Sequence, residues 1–302
     1  MNPALITVMR PKQWAKNLLI FAGYLFTIGM RRAPNAEERV TLAFIFFCFA
    51  SSAVYILNDI IDAERDRSHP DKSSRPIASG EVSKTAAAVL AFVLLIIAVF
   101  GSLWLDYGLE SPAHPFYRTF TLVLLSYFVL NTAYTFLLKN VVILDVIAVA
   151  AGFVLRAIAG AVVIQVSISE WFLLCTSLLA LFIGFAKRRH ELVILEDASG
   201  EHRRSLSDYS SYLLDQLMVI TAAAAIMTYS LYTFTSENHT PEQRRYMMAT
   251  IPFVVYGIFR YLYLVHKRDA GGQPEIVFLT DKPLMVNILL WALAVALVLR
   301  LG

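Results

Sequence analysis

Residues 40–66 read VTLAFIFFCFASSAVYILNDIIDAERD. Up to Leu57 the run is apolar or small; from Asn58 onward it carries Asp59, Asp62, Glu64, Arg65 and Asp66. About 20 mainly apolar residues cross the hydrocarbon core of a bilayer. The run therefore predicts a membrane helix that ends in an acidic, water-facing segment. On a helix Asn58, Asp62 and Asp66 share one face at i, i+4 and i+8, and Asp59 joins that stripe. Stacked like charges destabilise a helix unless something neutralises them. A hard divalent cation does so, because Mg2+ takes one or two carboxylates and fills its other positions with water and phosphate oxygens. The competing reading is a solvated helix end balanced by Arg65 and Arg67. Four aligned polar ligands leaving a span directly favour the metal, so the expectation is a Mg2+–diphosphate site.

The whole chain agrees with a membrane reading. It has 302 residues, 58% hydrophobic and 16% charged, with a mean hydropathy of +0.60. Soluble domains run at roughly 45–50% apolar and about 25% charged. A soluble globular enzyme, a disordered chain and a small disulfide scaffold are excluded. The two cysteines, Cys48 and Cys175, sit inside apolar runs and are read as buried free thiols. Nine candidate spans cover roughly 17–30, 40–57, 85–105, 119–138, 141–164, 171–186, 212–234, 247–265 and 284–301. Residues 10–16 are a basic and aromatic interfacial segment, with no cleavable signal peptide expected.

Most of the 26 Lys and Arg lie on one side of these spans: at the N-terminus, in loops 58–84, 187–211 and 266–283, and at Lys139. The positive-inside rule makes that side cytoplasmic, with the N-terminus in and the C-terminus out. The loops opening at Asn58 and Lys187 hint weakly at a repeat of about 130 residues.

Residues 67–80 continue the first motif. Pro70, Pro76 and Gly80 predict a compact loop rather than more helix. It carries Lys72 and Arg75, a point charge and a planar fork, both suited to phosphate. Ordinary positive-inside charge is the alternative.

The pattern Asn58-Asp59-xx-Asp62-xxx-Asp66, followed by Lys72-xx-Arg75-Pro76 and Gly80, resembles the UbiA superfamily of intramembrane prenyltransferases. Tyr134-xxxx-Lys139 is similar to that family's Tyr-Ser-xx-Leu-Lys segment. The resemblance implies an all-α polytopic fold over residues 1–302 as one domain. Nine transmembrane helices would surround a central polar cavity open to the cytoplasm, with Mg2+ holding a diphosphate at the first motif.

After span six, aromatic-acceptor members of the family carry a second Asp-rich motif. Here that position reads Lys187-Arg188-Arg189-His190-Glu191. A basic cluster there would bind an anion directly; the alternative is a belt for anionic headgroups. This run and Tyr55-Ile56-Leu57-Asn58-Asp59 resemble the branch of the family that moves a phosphoribosyl group. That likeness implies 5-phosphoribosyl 1-diphosphate as donor, a polyprenyl (decaprenyl) phosphate as acceptor, and a role in cell-wall arabinan precursor synthesis at the plasma membrane.

Charges inside spans complete the inventory. Arg156 at a helix centre costs on the order of 2.5–3.5 kcal/mol, so it is expected to face a polar cavity and a substrate phosphate, with a structural ion pair as the alternative. Asp145, about 16 Å along the same helix, is too distant to pair with it. Arg260 is expected to snorkel, with Tyr261 and Tyr263 as interface aromatics. His69 and His190 are read as positioning or solvated groups.

The resulting assignment is as follows. Asp62 and Asp66 are catalytic, and with Asn58 they hold the metal. Lys16, Tyr55, Asn58, Asp59, Lys72, Arg75, Tyr134, Lys139 and Arg156 bind the donor. Lys187, Arg188, Arg189 and Glu191 bind the acceptor phosphate. The partners are the two substrates and the membrane, not nucleic acid; a homo-oligomer stays open. Two alternatives remain, a prenyltransferase acting on a small acceptor and a transporter of a phosphorylated lipid. The basic cluster argues against the former and the metal-type stripe against the latter.

Overall fold

A computed structural model describes residues 3–27, 32–67, 72–107, 119–196, 208–235, 240–268, 271–272 and 274–301. His69, Pro70 and residues 197–207 of the second expected loop lie outside them. In chain order the helices are α1 (Pro3–Val8), a 3-10 helix (Pro11–Ile20), α2 (Phe21–Phe26), α3 (Ala36–Arg67), α4 (Lys84–Tyr107), α5 (Phe120–Phe136), a 3-10 turn (Leu138–Asn140), α6 (Leu144–Val163), α7 (Glu170–Glu196), α8 (Ser211–Thr235), α9 (Pro241–Met247), a 3-10 turn (Met248–Thr250), α10 (Ile251–Arg268), α11 (Pro274–Thr280) and α12 (Lys282–Leu301). Among the described residues, seven segments are long and apolar enough to cross a membrane, and the apolar α5 is shorter at 17 residues.

The chain divides into two compact units. The first comprises Met1–Tyr24, Arg32–Thr135 and Ile158–Gln165. Its centre is the pairing of α3 with α4. With 32 residues, α3 is about 48 Å long, against roughly 30 Å of hydrocarbon. Its acidic turns therefore continue past the apolar run. Ala4 and Val8 of α1 pack with Ala53, Ile56 and Ala63 of α3, with Ile77 and Val82, and with Ala87, Ala91 and Leu94 of α4. Arg39 ties two helix ends: it donates to Leu105 O and, over 3.0 Å, to Val163 O. A cation suits these carbonyl termini of α4 and α6.

The first expected span differs from the sequence reading. It opens as a 3-10 helix of 10 residues, longer than such runs usually are. Pro11 lacks an N–H and fixes its own φ, and Arg10 before it is left-handed at φ 52°. The polar side chains of this segment bond to α3 instead of facing lipid. Buried Asn17 donates to Ser51 Oγ (3.1 Å) and Cys48 Sγ (3.3 Å), and Trp14 donates to Ser52 Oγ (3.0 Å). Gly160 lets α6 meet this segment, since a Cβ there would run into the Ile20 carbonyl.

The second unit comprises Leu25–Arg31, Phe136–Ala157 and Val166–Gly302. Here α7 pairs with α8, and α10 packs on α12 and α8. Phe182, Phe185, Leu214, Met218, Tyr261 and Leu264 belong to one core, and Cys175, Tyr229, Tyr232 and Val295 to another. Both cysteines are free and buried.

Three further expectations are corrected here. Residues 187–196 continue α7 rather than opening a loop, because the Ile/Leu/Val positions after His190 sustain the helical run. Arg260 does not snorkel: its guanidinium forks onto Asp281 at 2.8 and 3.1 Å and lies 5.2 Å from the Tyr263 ring centroid. Tyr261 is a buried core residue, 5.5 Å from the Phe182 ring, and not an interface aromatic; Tyr263 is exposed.

Candidate active site

In the first unit the acidic end of α3 lies against two arginines from outside the helix. Arg75 Nη1 donates to Asp66 Oδ2 at 2.6 Å and to Asp59 Oδ1 at 3.1 Å. Asp59 and Asp66, both buried, are two turns apart on α3, so one guanidinium reaches both. Arg10 takes the other side of Asp59: its Nε donates to Oδ2 at 3.1 Å and its Nη2 to Oδ1. The Arg10 guanidinium also stands 5.5 Å from the Tyr55 ring centroid. The turns over residues 72–82 that carry Arg75 are fixed by Gly80 at φ 85° and by Arg67, whose Nε donates to Ala78 O at 3.0 Å.

Arg10 and Arg75 thus balance Asp59 and Asp66. Asp62 is half-buried, with Arg65 at 4.0 Å. The Oδ1 of Asn58 is buried and, among the described residues, has no hydrogen-bond partner. An orphaned amide oxygen one turn before Asp62 on the same helix face is the kind of oxygen donor a hard cation takes. Lys16, Tyr55, Lys72 and Tyr134 are all half-buried.

In the second unit the charges form a different network. Asp145 is fully buried at the start of α6. Its Oδ2 accepts from Arg188 Nε at 2.6 Å and its Oδ1 from the Tyr209 hydroxyl at 2.8 Å. Arg188 Nη1 donates to Glu191 Oε2 at 2.5 Å. The Tyr209 oxygen in turn accepts the Ile143 N–H at 2.7 Å. Ile143 is left-handed at φ 68°, a strained conformation for a β-branched residue. Burial, reinforced by the adjacent Asp145 carboxylate, pushes the Tyr209 hydroxyl well above the usual phenol range. It thus stays protonated and remains a donor to Asp145.

Arg189 donates to Asp215 at 2.6 Å, and His266 Nε2 approaches the same oxygen at 3.2 Å. Lys187 is exposed, while Lys139 and Arg156 are buried. Arg156 donates to Gly152 O one turn back on its own helix and lies over the Phe153 ring at 5.2 Å. Arg188 and Arg189, expected as open cations for a phosphate, are thus each bonded to carboxylates.

The sequence profile of the UbiA prenyltransferase family matches residues 18–281. The chain belongs to the UbiA prenyltransferase family. The decaprenyl-phosphate phosphoribosyltransferase of Mycolicibacterium smegmatis is 34% identical over 299 residues, 95% of this chain and 89% of that protein. The enzyme of the same name from Corynebacterium glutamicum is 33% identical over 296 residues, 97% of this chain and 86% of that protein. The solved structure of a UbiA homologue from Archaeoglobus fulgidus, bound to GPP and Mg2+, matches with a TM-score of 0.73 at 16% identity. It covers 98% of this chain and 99% of that one, and establishes the shared fold. Family and apolar helices together make this a multi-pass membrane protein.

Within this UbiA-family chain, Arg75 of the expected set meets Asp59 and Asp66 of the same set. Sequence reasoning missed Arg10, Asp145, Tyr209 and Asp215. For Asp145 there was a signal, a lone carboxylate opening an apolar helix. Arg10 and Tyr209 had none, since no local spacing links them to partners 49 and 64 residues away.

Proposed function

We propose that this chain transfers the 5-phosphoribosyl group of 5-phosphoribosyl 1-diphosphate to a polyprenyl phosphate of the decaprenyl class. The observation that carries the reading is its likeness, over nearly the whole chain, to the two decaprenyl-phosphate phosphoribosyltransferases. An oxygen of the acceptor phosphate bonds to C1 of the ribose as the C1–O bond to diphosphate breaks. The electron pair leaves with the diphosphate, and C1 is inverted. The acceptor phosphate is already anionic near neutral pH, so no strong general base is needed.

Asn58, Asp62 and Asp66 would hold Mg2+, with the buried Asn58 Oδ1 as the supporting observation. When bound, the ion supplies Lewis-acid stabilisation of charge on the departing diphosphate. The other roles fall to side chains. Lys72 and Arg75 take diphosphate oxygens, with Lys16 and Tyr55 completing that end of the donor. Tyr134, Lys139 and Arg156 take the remaining phosphate of the donor. Lys187 and Arg189 place the acceptor phosphate, while Arg188, bonded to both Asp145 and Glu191, holds that turn of α7. Asp59 serves the donor indirectly by keeping Arg10 and Arg75 at the acidic stripe. Catalysis is then mostly positioning and electrostatics.

The same reading gives one transmembrane domain, since a single family profile runs through both units. It gives nine crossings and a polar cavity open to the cytoplasm. The N-terminus and site are cytoplasmic, on the Lys/Arg-rich side of the plasma membrane, with the product feeding cell-wall arabinan synthesis.

The test is to incubate purified protein with Mg2+, polyprenyl phosphate and radiolabelled 5-phosphoribosyl 1-diphosphate, then extract the lipid. EDTA-sensitive label in the organic phase is the expected result. Folded protein that labels no lipid, yet prenylates a small acceptor from a prenyl diphosphate, would overturn the reading.

A further inference from the structure

The two buried carboxylates of α3 are not equally provided for. Asp59 is gripped through both oxygens by Arg10 and touched at 3.1 Å by Arg75. Among the described residues, the cation paired with Asp66 is Arg75, at 2.6 Å. Asp66 is also a carboxylate assigned to the metal. A guanidinium on that oxygen and a divalent cation compete for the same lone pairs. A diphosphate, in turn, offers Arg75 a bidentate partner better than a shared carboxylate. A buried carboxylate stripped of its cation is costly, and for Asp59 the Arg10 fork removes that cost.

We propose that Arg75 is an exchangeable counter-ion. It closes on Asp66 while the donor is away, and passes to the donor's diphosphate when Asp66 turns to the metal. Arg10 keeps Asp59 neutralised in both arrangements. This rests on the metal–diphosphate reading above. Arg10 and Arg75 then position the acidic stripe as well as its ligand. Metal and diphosphate favour the same rearrangement, so each raises the affinity for the other by the same factor.

The test titrates Mn2+ into the purified full chain in detergent, with bound metal read by electron paramagnetic resonance. The proteins are wild type, Arg75→Gln, Asp66→Asn and the double variant. Arg75→Gln should bind Mn2+ alone on the order of fivefold or more tightly than wild type. The gain should vanish when Asp66→Asn is added. Equal or weaker Mn2+ binding by Arg75→Gln overturns the exchange, as does a gain that survives loss of Asp66. Absence of Mn2+ binding in every protein, with or without inorganic pyrophosphate, overturns the metal reading itself and the exchange with it.

Should Arg75→Gln not fold, the wild type alone decides. Its melting point is measured with Mg2+, with inorganic pyrophosphate and with both. A joint shift larger than the sum of the two supports exchange; an additive shift overturns it.

Discussion

The Tyr209 hydroxyl bridges Asp145 and the backbone N–H of Ile143, at 2.8 and 2.7 Å. One phenol thus serves a buried carboxylate and holds a strained backbone. We predict that Tyr209→Phe lowers stability by about 1–3 kcal/mol, the cost of leaving buried polar groups unpaired. The midpoint of thermal melting in detergent checks it; an unchanged midpoint would show that water replaces the hydroxyl.

Arg188 is expected to matter more. Its removal strands Asp145, which is fully buried. Arg188→Met should therefore cost about 3–5 kcal/mol. The double variant Arg188→Met with Asp145→Leu should recover a large part of that loss, because no buried charge is then left alone. A double-mutant cycle on melting data measures the coupling; additive losses would contradict the pairing.

Asp62 stands at the half-buried centre of the acidic stripe and lies 4.0 Å from Arg65. Asp62→Asn should leave the melting curve near wild type. Lipid labelling should fall by on the order of 100-fold or more, as expected when charge stabilisation of a leaving group is lost. Near-normal turnover at saturating Mg2+ would remove Asp62 from the metal set.

Arg10→Gln tests the support behind the motif. Asp59 would then depend on Arg75 alone, and Arg75 could not leave it cheaply. The KM for the donor should rise by about tenfold, in proportion to the lost coupling, with a smaller change in kcat. Initial rates at varied donor concentration distinguish this from general unfolding, which would lower the amount of active enzyme without moving KM.

Gly160 is where α6 meets the carbonyl of Ile20. Gly160→Ala should cost about 1–3 kcal/mol, since a backbone atom and not a flexible side chain stands in the way. Thermal melting reads this directly, and Gly80→Ala, with nothing within 4 Å but φ 85°, separates backbone strain from crowding.

Sequence periodicity revealed α3 and its acidic face because both are local: helix geometry alone places Asn58, Asp62 and Asp66 together. It also exposed the loop cations, through composition. It could not reveal which carboxylate each cation meets, since Arg10 and Asp59 are brought together only by the packing of α1 on α3. Arg156 stood out as a charge inside an apolar helix, but its bond to the carbonyl one turn back carries no composition signal. The 3-10 opening of the first expected span was not legible, because Asn17 and the Ser51 it bonds to lie 34 residues apart. Arg260 was misjudged for a similar reason: its acid, Asp281, lies between helices and carries no spacing signal.

The 49-residue separation of Arg10 from Asp59, and the 16 residues from Asp59 to Arg75, also set an order of synthesis. At about 5–20 residues per second, Arg10 leaves the ribosome roughly 2–10 s before Asp59, and Arg75 follows about 1–3 s later. The acidic end of α3 is thus made after the guanidinium that neutralises Asp59 and before the one that Asp59 and Asp66 share.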